Sequence, residues 1–288
     1  MLKRNAIIMA AGMSSRFVPL SYEKPKGLFE VKGEILIERQ IRQLKDADIN
    51  DITIVVGYKS ELFDYLVAKF GVSIVLNEDY AIYNNTSSVI RVLDKLENTF
   101  LCSSDNYFKN NPFKCEEQES FYSALYSEEQ TDEYCLSIDV NDYITDVKVG
   151  GKQSWYMVGH VFFNELFSNR FAVLLEKEYA TESTRHEYWE DVYIRHIQDL
   201  PMKIKRFKKE EIKEFDSIDE LRHFDKSYIS DTRSSIIKEI CERYKMKEAQ
   251  LHSFHNIRHV GNFLLFDFKV GNDKFLYDGS CRDKIKRI

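Results

Sequence analysis

The 288-residue chain has no long apolar run, no Cys-x-x-Cys pair, no internal repeat or low-complexity tract, and no excess of basic charge. Each absence removes a class of protein. The early apolar stretch at residues 6–11 is far too short to span a bilayer, and a Gly/Ser/Arg loop follows it rather than a cleavage site. Neither a signal peptide nor a membrane anchor is therefore expected. A net charge of −6 and a pI of about 5.8 argue against a general nucleic-acid binder, which needs a basic face, while a local phosphate pocket needs only a few charges. The five cysteines, Cys102, Cys115, Cys135, Cys241 and Cys281, are scattered and odd in number. That pattern fits reduced thiols in a cytosol better than a disulfide framework or a zinc knuckle, so a cytoplasmic protein is expected.

What is present is an ordinary globular composition, 43% hydrophobic and 31% charged, in a chain long enough for one large domain with an appendage. Short apolar runs at residues 6–11, 52–56, 72–76 and 99–103 read as buried strands. Between them, residues 35–47 place Ile37, Ile41 and Leu44 on one helical face. Ser60 is positioned to cap a helix that Gly71 closes, and residues 87–96 have helical spacing. Such alternation predicts an α/β fold with a Rossmann-like, mostly parallel sheet. Residues 122–126, 135–140, 144–149 and 156–163 read as strands of an antiparallel extension, with Gly150-Gly151 as a turn, and residues 164–178 as a helix. Ser217 and Glu220 form a plausible capping box. A boundary is expected between a domain of residues 1–225 and an α+β appendage of residues 226–288. In the appendage, residues 234–244 are helical and residues 262–270 and 274–277 form a hairpin.

The strongest signal is Ala10-Ala11-Gly12-Met13-Ser14-Ser15-Arg16, followed by Pro19-Leu20 and then Pro25-Lys26. A buried strand running into small residues lets the backbone approach a ligand, and successive N–H groups can cradle an anion. Arg16 offers a forked donor to phosphate oxygens and Lys26 a compact charge. From residue types alone, a surface loop with incidental charges fits equally well.

The segment resembles the signature of the sugar-phosphate and related nucleotidyltransferases, Ala-Ala-Gly-x-Gly-x-Arg, then Pro-Leu, then Pro-Lys, with Ser14 replacing the second glycine. No Gly-x-Gly-x-x-Gly opens a helix, so a dinucleotide-binding reading is set aside. Within that superfamily the chain, from about residue 5 to residue 224, is most similar to the bacterial CTP:phosphocholine cytidylyltransferases. The similarity lies in Tyr83-Asn84-Asn85, Asp105-Asn106-Tyr107, Tyr188-Trp189-Glu190 and Glu214-Phe215-Asp216-Ser217. The resemblance implies the nucleotide-diphospho-sugar transferase fold, with CTP held by Ala11, Gly12, Met13, Ser14, Ser15, Asn85 and Ser88. It implies Mg²⁺ on Asp105 and on Glu190 or Asp191, the family carboxylate following Tyr-Trp being an Asp. It also implies an acceptor pocket using Tyr134, usually Trp in the family, together with Tyr188 and Glu214; Trp155 and Trp189 are further aromatic candidates. Quaternary ammonium groups are held by aromatic faces near a carboxylate.

The expected reaction is in-line attack of the acceptor phosphate on the α-phosphorus of CTP. Lys26 would steady the charge between the phosphates and Arg16 would hold the β- and γ-phosphates. Phosphocholine is the expected acceptor; phosphoethanolamine, 2-aminoethylphosphonate and sugar phosphates remain open. So do a homo-oligomer, a non-catalytic nucleotide sensor and a partner-recruiting tail. The appendage faintly resembles the start of a choline-kinase-like lobe, a helix and then Gly261-Asn262 entering a hairpin, but the chain stops before any catalytic loop. His252, His255 and His259 are read as packing residues rather than a metal site, because no Cys or acidic partner lies at zinc-like spacing.

Overall fold

The computed structural model describes residues 3–257, 264–281 and 283–288. These form two compact units, one of residues 1–12 and 36–214, the other of residues 13–35 and 215–288. The second unit thus takes in the segment that carries Arg16 and Lys26, and the boundary expected after residue 225 falls inside it. The chain leaves the first unit immediately after Gly12 and re-enters at Leu36.

The first unit is built on a nine-stranded sheet. Its strands are β1 (Asn5–Ala10), β2 (Ile52–Val56), β3 (Ser73–Leu76), β4 (Thr99–Ser103), β5 (Phe121–Ser127), β6 (Thr131–Ile138), β7 (Ile144–Gly151), β8 (Ser154–Phe163) and β9 (Lys203–Arg206). The order along the main path is β7-β6-β8-β4-β1-β2-β3, and β5 bridges β8 to β9. The block β4-β1-β2-β3 is parallel, and β8 runs antiparallel to β4. Sequence alternation identified this parallel core because both its faces are covered, which requires continuous apolar strands such as Ile-Thr-Ile-Val-Val. Helix α1 (Leu36–Lys45) buries Ile37, Ile41 and Leu44, the face its spacing predicts. Helix α2 (Glu165–Tyr179) starts at Asn164, whose side chain accepts from Phe167 N. It packs Phe167, Phe171 and Leu175 into the core with Phe163.

Several local expectations change. Ser60 opens a short 3₁₀ turn after Lys59, which is left-handed at φ 49°, and the α-helical part runs from Tyr65 to Phe70; Gly71 does close it, at φ 67°. Residues 87–96 divide into a short α-helix, Thr86–Val89, and a 3₁₀ stretch, Ile90–Lys95, which is itself kinked at Val92, whose angles are non-helical. Gly150 and Gly151 are not the turn between strands but the bulged end of β7, with Gly150 at φ 81°; the chain reverses at residues 152–153.

The second unit comprises residues 13–35 with the C-terminal part. Helix α4 (Ile218–Phe224) is capped by Ser217, which accepts from Glu220 N, and α5 (Ser235–Tyr244) by Ser234, which accepts from Ile237 N. A four-stranded antiparallel sheet follows: β10 (Leu251–Asn256), β11 (Leu265–Val270), β12 (Asp273–Asp278) and β13 (Ile285–Arg287). Val270 pairs with Asp273, so the expected hairpin turns on Gly271 and Asn272 alone, with Gly271 at φ 60°. Gly261, Asn262 and His259 lie outside the described residues. His252 places its ring nitrogens against Ser253 Oγ and Gly271 O, while His255 Nδ1 lies 3.0 Å from Asp267 Oδ1. All five cysteines carry free thiols. Among the described residues no helix is long and apolar enough to cross a membrane.

Candidate active site

In the first unit, the carboxyl ends of three parallel strands lie side by side, as the registers Ala10↔Val56 and Met9↔Ser103 show. Ala11 O accepts from Tyr58 N at 3.0 Å, and Met9 O from Ser104 N at 3.1 Å. Ala11, Gly12 and Asp105 therefore follow adjacent strand ends, at the edge where open α/β sheets bind ligands. Glycine is obligatory at Gly159 on β8: a Cβ there would lie 2.2 Å from Ser103 Oγ. Its carbonyl accepts from Asn106 Nδ2 at 2.9 Å, which fixes the residue after Asp105.

A second cluster forms around helix α3 (Trp189–Arg195). Trp189 is 1% exposed, stacked on Tyr122 at 5.8 Å and edge-on to Phe163 and Phe171. It anchors the helix in the core and is not available as an acceptor contact. Tyr188, at the N-cap, is 46% exposed, and its N–H donates to Asp191 Oδ2 at 2.9 Å. The other Asp191 oxygen accepts from the Tyr134 hydroxyl at 2.9 Å. The Tyr134 and Tyr188 rings meet edge to face at 6.4 Å. Glu190 accepts from Tyr122 OH at 3.0 Å and from Asn85 Nδ2 at 3.3 Å, while Asn85 Oδ1 accepts from Trp189 N at 2.8 Å. Asn85 is thereby a strut between the Tyr83-Asn84-Asn85 loop and α3. Ser88 is buried, and its hydroxyl accepts from Asn77 Nδ2 at 3.0 Å. Glu214 is exposed, and its charge acts on Tyr122 and Tyr156. Trp155 meets Tyr126 edge-on at 5.3 Å and lies under the Arg206 guanidinium.

In the second unit, Ser14 adopts φ 50°, ψ 44°, the left-handed conformation that a glycine takes at no steric cost. Its carbonyl accepts from Phe17 N at 2.9 Å, which turns Ser15–Phe17 into one 3₁₀ turn. Phe17 is buried against Phe29 at 5.1 Å. That leaves Arg16 three-quarters exposed, 2.9 Å from Asp216 Oδ2. Lys26 is 7% exposed, 5.4 Å above the Phe17 ring and 3.7 Å from Asp216 Oδ1. One carboxylate thus holds both signature cations. A cavity of about 660 Å³ is lined by Ser15, Arg16, Asp216, Ser217, His255 and Asn256, among others. Met13 and Ser15 are exposed.

The MobA-like NTP transferase domain model matches residues 6–111. The choline-phosphate cytidylyltransferase of Streptococcus pneumoniae is 35% identical over 217 residues, 75% of this chain and 95% of that protein. The 2-aminoethylphosphonate cytidylyltransferase of Lancefieldella rimae is 34% identical over 236 residues, 81% of this chain and 96% of its own. This chain belongs to the cytidylyltransferase family. A solved structure of the CTP:phosphocholine cytidylyltransferase from Streptococcus pneumoniae agrees with a TM-score of 0.75 at 34% identity, covering 77% of this chain and 97% of that one.

For this cytidylyltransferase, electrostatics separates the two neighbouring carboxylates that the sequence left open. Burial pushes the Glu190 carboxyl up to about 7, and the Asp191 charge adds to the rise. A backbone N–H and the hydrogen bonds from Asn85 and Tyr122 counter this only in part, and all three donors are neutral. Burial together with Asp191 raises the Tyr134 phenol, so it stays protonated as the donor. Asp191 therefore works as the cap of α3, whereas Glu190 is a half-buried carboxylate whose ionised form lacks a cationic partner among its named contacts. That chemistry fits a hard cation. Mg²⁺ commonly takes only one or two carboxylates and completes its shell with phosphates and water. Among the described residues no three His, Cys, Asp or Glu side chains group as metal ligands. Sequence reasoning missed two members of the clusters. Asp216 was signalled by its place in Glu214-Phe215-Asp216-Ser217; Tyr122 carried no signal beyond a strand pattern.

Proposed function

We propose that the chain transfers CMP from CTP to phosphocholine, forming CDP-choline and releasing pyrophosphate. An oxygen of the acceptor phosphate, already anionic, attacks the α-phosphorus; that P–O bond forms as the bond to the β-phosphate oxygen breaks, and its electron pair leaves with pyrophosphate. No general base is required, so the protein contributes position and charge. In the second unit, Arg16 donates to β- and γ-phosphate oxygens, and the Lys26 ammonium offsets negative charge at the phosphoryl group under attack. In the first unit, Ala11 and Gly12 allow close backbone approach by the nucleotide, and Asn85 and Ser88 shape the pocket for base and ribose; in the second unit, Met13, Ser14 and Ser15 offer backbone N–H groups to phosphate oxygens. Asp105 and Glu190 are the residues that would hold Mg²⁺, with Asp191 positioning the helix that carries Glu190. Bound there, Mg²⁺ supplies positive charge to the nucleotide and acceptor phosphates.

The observation that carries the acceptor assignment is the meeting of Tyr134 and Tyr188 beside Asp191. Aromatic faces with a carboxylate nearby suit a cationic head group that lacks hydrogen-bond donors. A second reading, 2-aminoethylphosphonate, is favoured by Tyr134 standing where the phosphocholine enzymes usually have Trp, because a smaller aromatic face suits a primary ammonium. Pyrophosphate release from CTP, measured against phosphocholine, phosphoethanolamine, 2-aminoethylphosphonate and sugar phosphates, tests the assignment. Highest kcat/KM with phosphocholine is expected; preference for the phosphonate replaces it, and no release with any acceptor leaves a nucleotide-binding protein without transferase activity.

A further inference from the structure

Between Pro19-Leu20 and Pro25-Lys26 lie two residues with no part in the reaction as written, Tyr22 and Glu23. Within the second unit their side chains reach the C-terminal segment. Glu23 Oε2 accepts from Ser235 N and Ser235 Oγ, both at 3.0 Å, and Oε1 from Ile236 N at 3.3 Å and from the Ser234 hydroxyl. One carboxylate thus satisfies the first free N–H groups of α5, the end of a helix that favours negative charge. The Tyr22 hydroxyl lies 2.8 Å from Asn256 Oδ1 and 3.0 Å from Leu265 O, and its ring lies 6.2 Å from Phe266. The return limb is tied as well. Lys32 N donates to Asp225 Oδ2 at 2.7 Å, Tyr228 OH donates to Glu30 O at 2.7 Å, and Arg233 pairs with Glu30 at 3.5 Å. The excursion bearing Arg16 and Lys26 is therefore fastened on both flanks by residues 225–265.

We infer that Glu23 and Tyr22 are positioning residues for cytidylyl transfer, and that the C-terminal segment is a brace holding the signature loop in its nucleotide-binding form. This rests on the roles given to Arg16 and Lys26 above. The two cytidylyltransferase relatives span nearly their whole lengths on 75% and 81% of this chain, so part of the chain has no counterpart in them. A brace explains why the C-terminal segment is packed against the signature loop. A module serving only to recruit a partner needs no such ties to residues 20–32.

The test uses full-length Glu23→Ala, Tyr22→Phe and Glu23→Asp, with Lys284→Ala as control, since Lys284 pairs with Glu239 at 2.6 Å and lies over the Tyr277 ring, both on the tail itself. Two quantities are read: amide hydrogen exchange over residues 13–35, and initial pyrophosphate release with CTP and acceptor varied in turn. Glu23→Ala is expected to speed exchange in that segment and to raise KM for CTP about tenfold, with KM for the acceptor unchanged, as expected when a phosphate-binding group is displaced. Tyr22→Phe should act in the same direction more weakly, Glu23→Asp should recover most of the loss, and Lys284→Ala should match the wild type. Unchanged exchange and unchanged KM for CTP in Glu23→Ala overturn the inference. So does a fall in active fraction with both KM values intact, which marks plain destabilisation. Should the wild type release no pyrophosphate with any acceptor while Glu23→Ala still speeds exchange and weakens CTP binding by calorimetry, the transferase reading fails and the brace stands.

Discussion

The two units solve opposite electrostatic problems. In the second, two cations share one carboxylate, Asp216, so positive charge is held ready close to neutrality. In the first, half-buried Glu190 stands beside Asp191 with only neutral donors, and loss of hydration raises its carboxyl to about 7. The contrast teaches that a protein can store charge in two ways: paired with a partner of opposite sign, or desolvated among neutral donors so that ionisation is disfavoured.

The comparison is broken most severely at Lys26. Lys26→Ala is expected to lower kcat by about a thousandfold, in the range seen when one preorganised charge is removed from a transition state, with the far-ultraviolet circular dichroism unchanged. Pyrophosphate release within tenfold of the wild type would remove Lys26 from the chemistry. Next in size is Trp189→Ala, which should cost about 3–5 kcal/mol of unfolding free energy in a denaturant titration, because a fully buried aromatic leaves a cavity under Glu190. A stable Trp189→Ala protein would show that α3 is anchored by its caps instead.

Glu190→Gln sharpens the contrast through pH. The folded carboxyl binds its proton more tightly than the unfolded one, so its contribution to stability is complete below about 4.5 and is lost as pH rises through about 7. In buffer with a chelator, the wild-type Tm should fall between pH 5 and 8 by more than that of Glu190→Gln, whose amide does not titrate. Equal slopes would mean that Glu190 ionises freely. The smallest effects belong to Tyr134. Tyr134→Phe removes the hydroxyl from Asp191 and should cost about 1 kcal/mol of stability while the ring remains. Tyr134→Trp should raise selectivity for phosphocholine over 2-aminoethylphosphonate about threefold, because Trp offers the strongest face to a cation.

Much of this was readable before folding. The parallel strands were legible because a strand buried on both faces must be continuously apolar, and the signature loop because its small residues, Arg16, Pro-Leu and Pro-Lys elements occur in order after β1. Other features depended on neighbours far along the chain. Ser60 looks like a cap, but the turn set by Lys59 comes first. Trp189 looks like a ligand contact, yet it stacks on Tyr122, 67 residues earlier in sequence, and is core. The boundary after residue 225 was placed by local composition. The contacts that decide it tie residues 13–35 to the C-terminal segment, and no local pattern announces them.

The amino-acid order by itself determined the α/β class, the loop motif and the identities of the charged side chains, since each is written in short-range spacing that sterics and burial translate directly. Tertiary structure alone decided which of two adjacent acids is a cap and which is half-buried with a raised pKa. It also decided that one aspartate serves two cations and that the tail fastens the loop. Those outcomes depend on dielectric surroundings and on partners as far as 243 residues away, and neither is a property of any local stretch of chain.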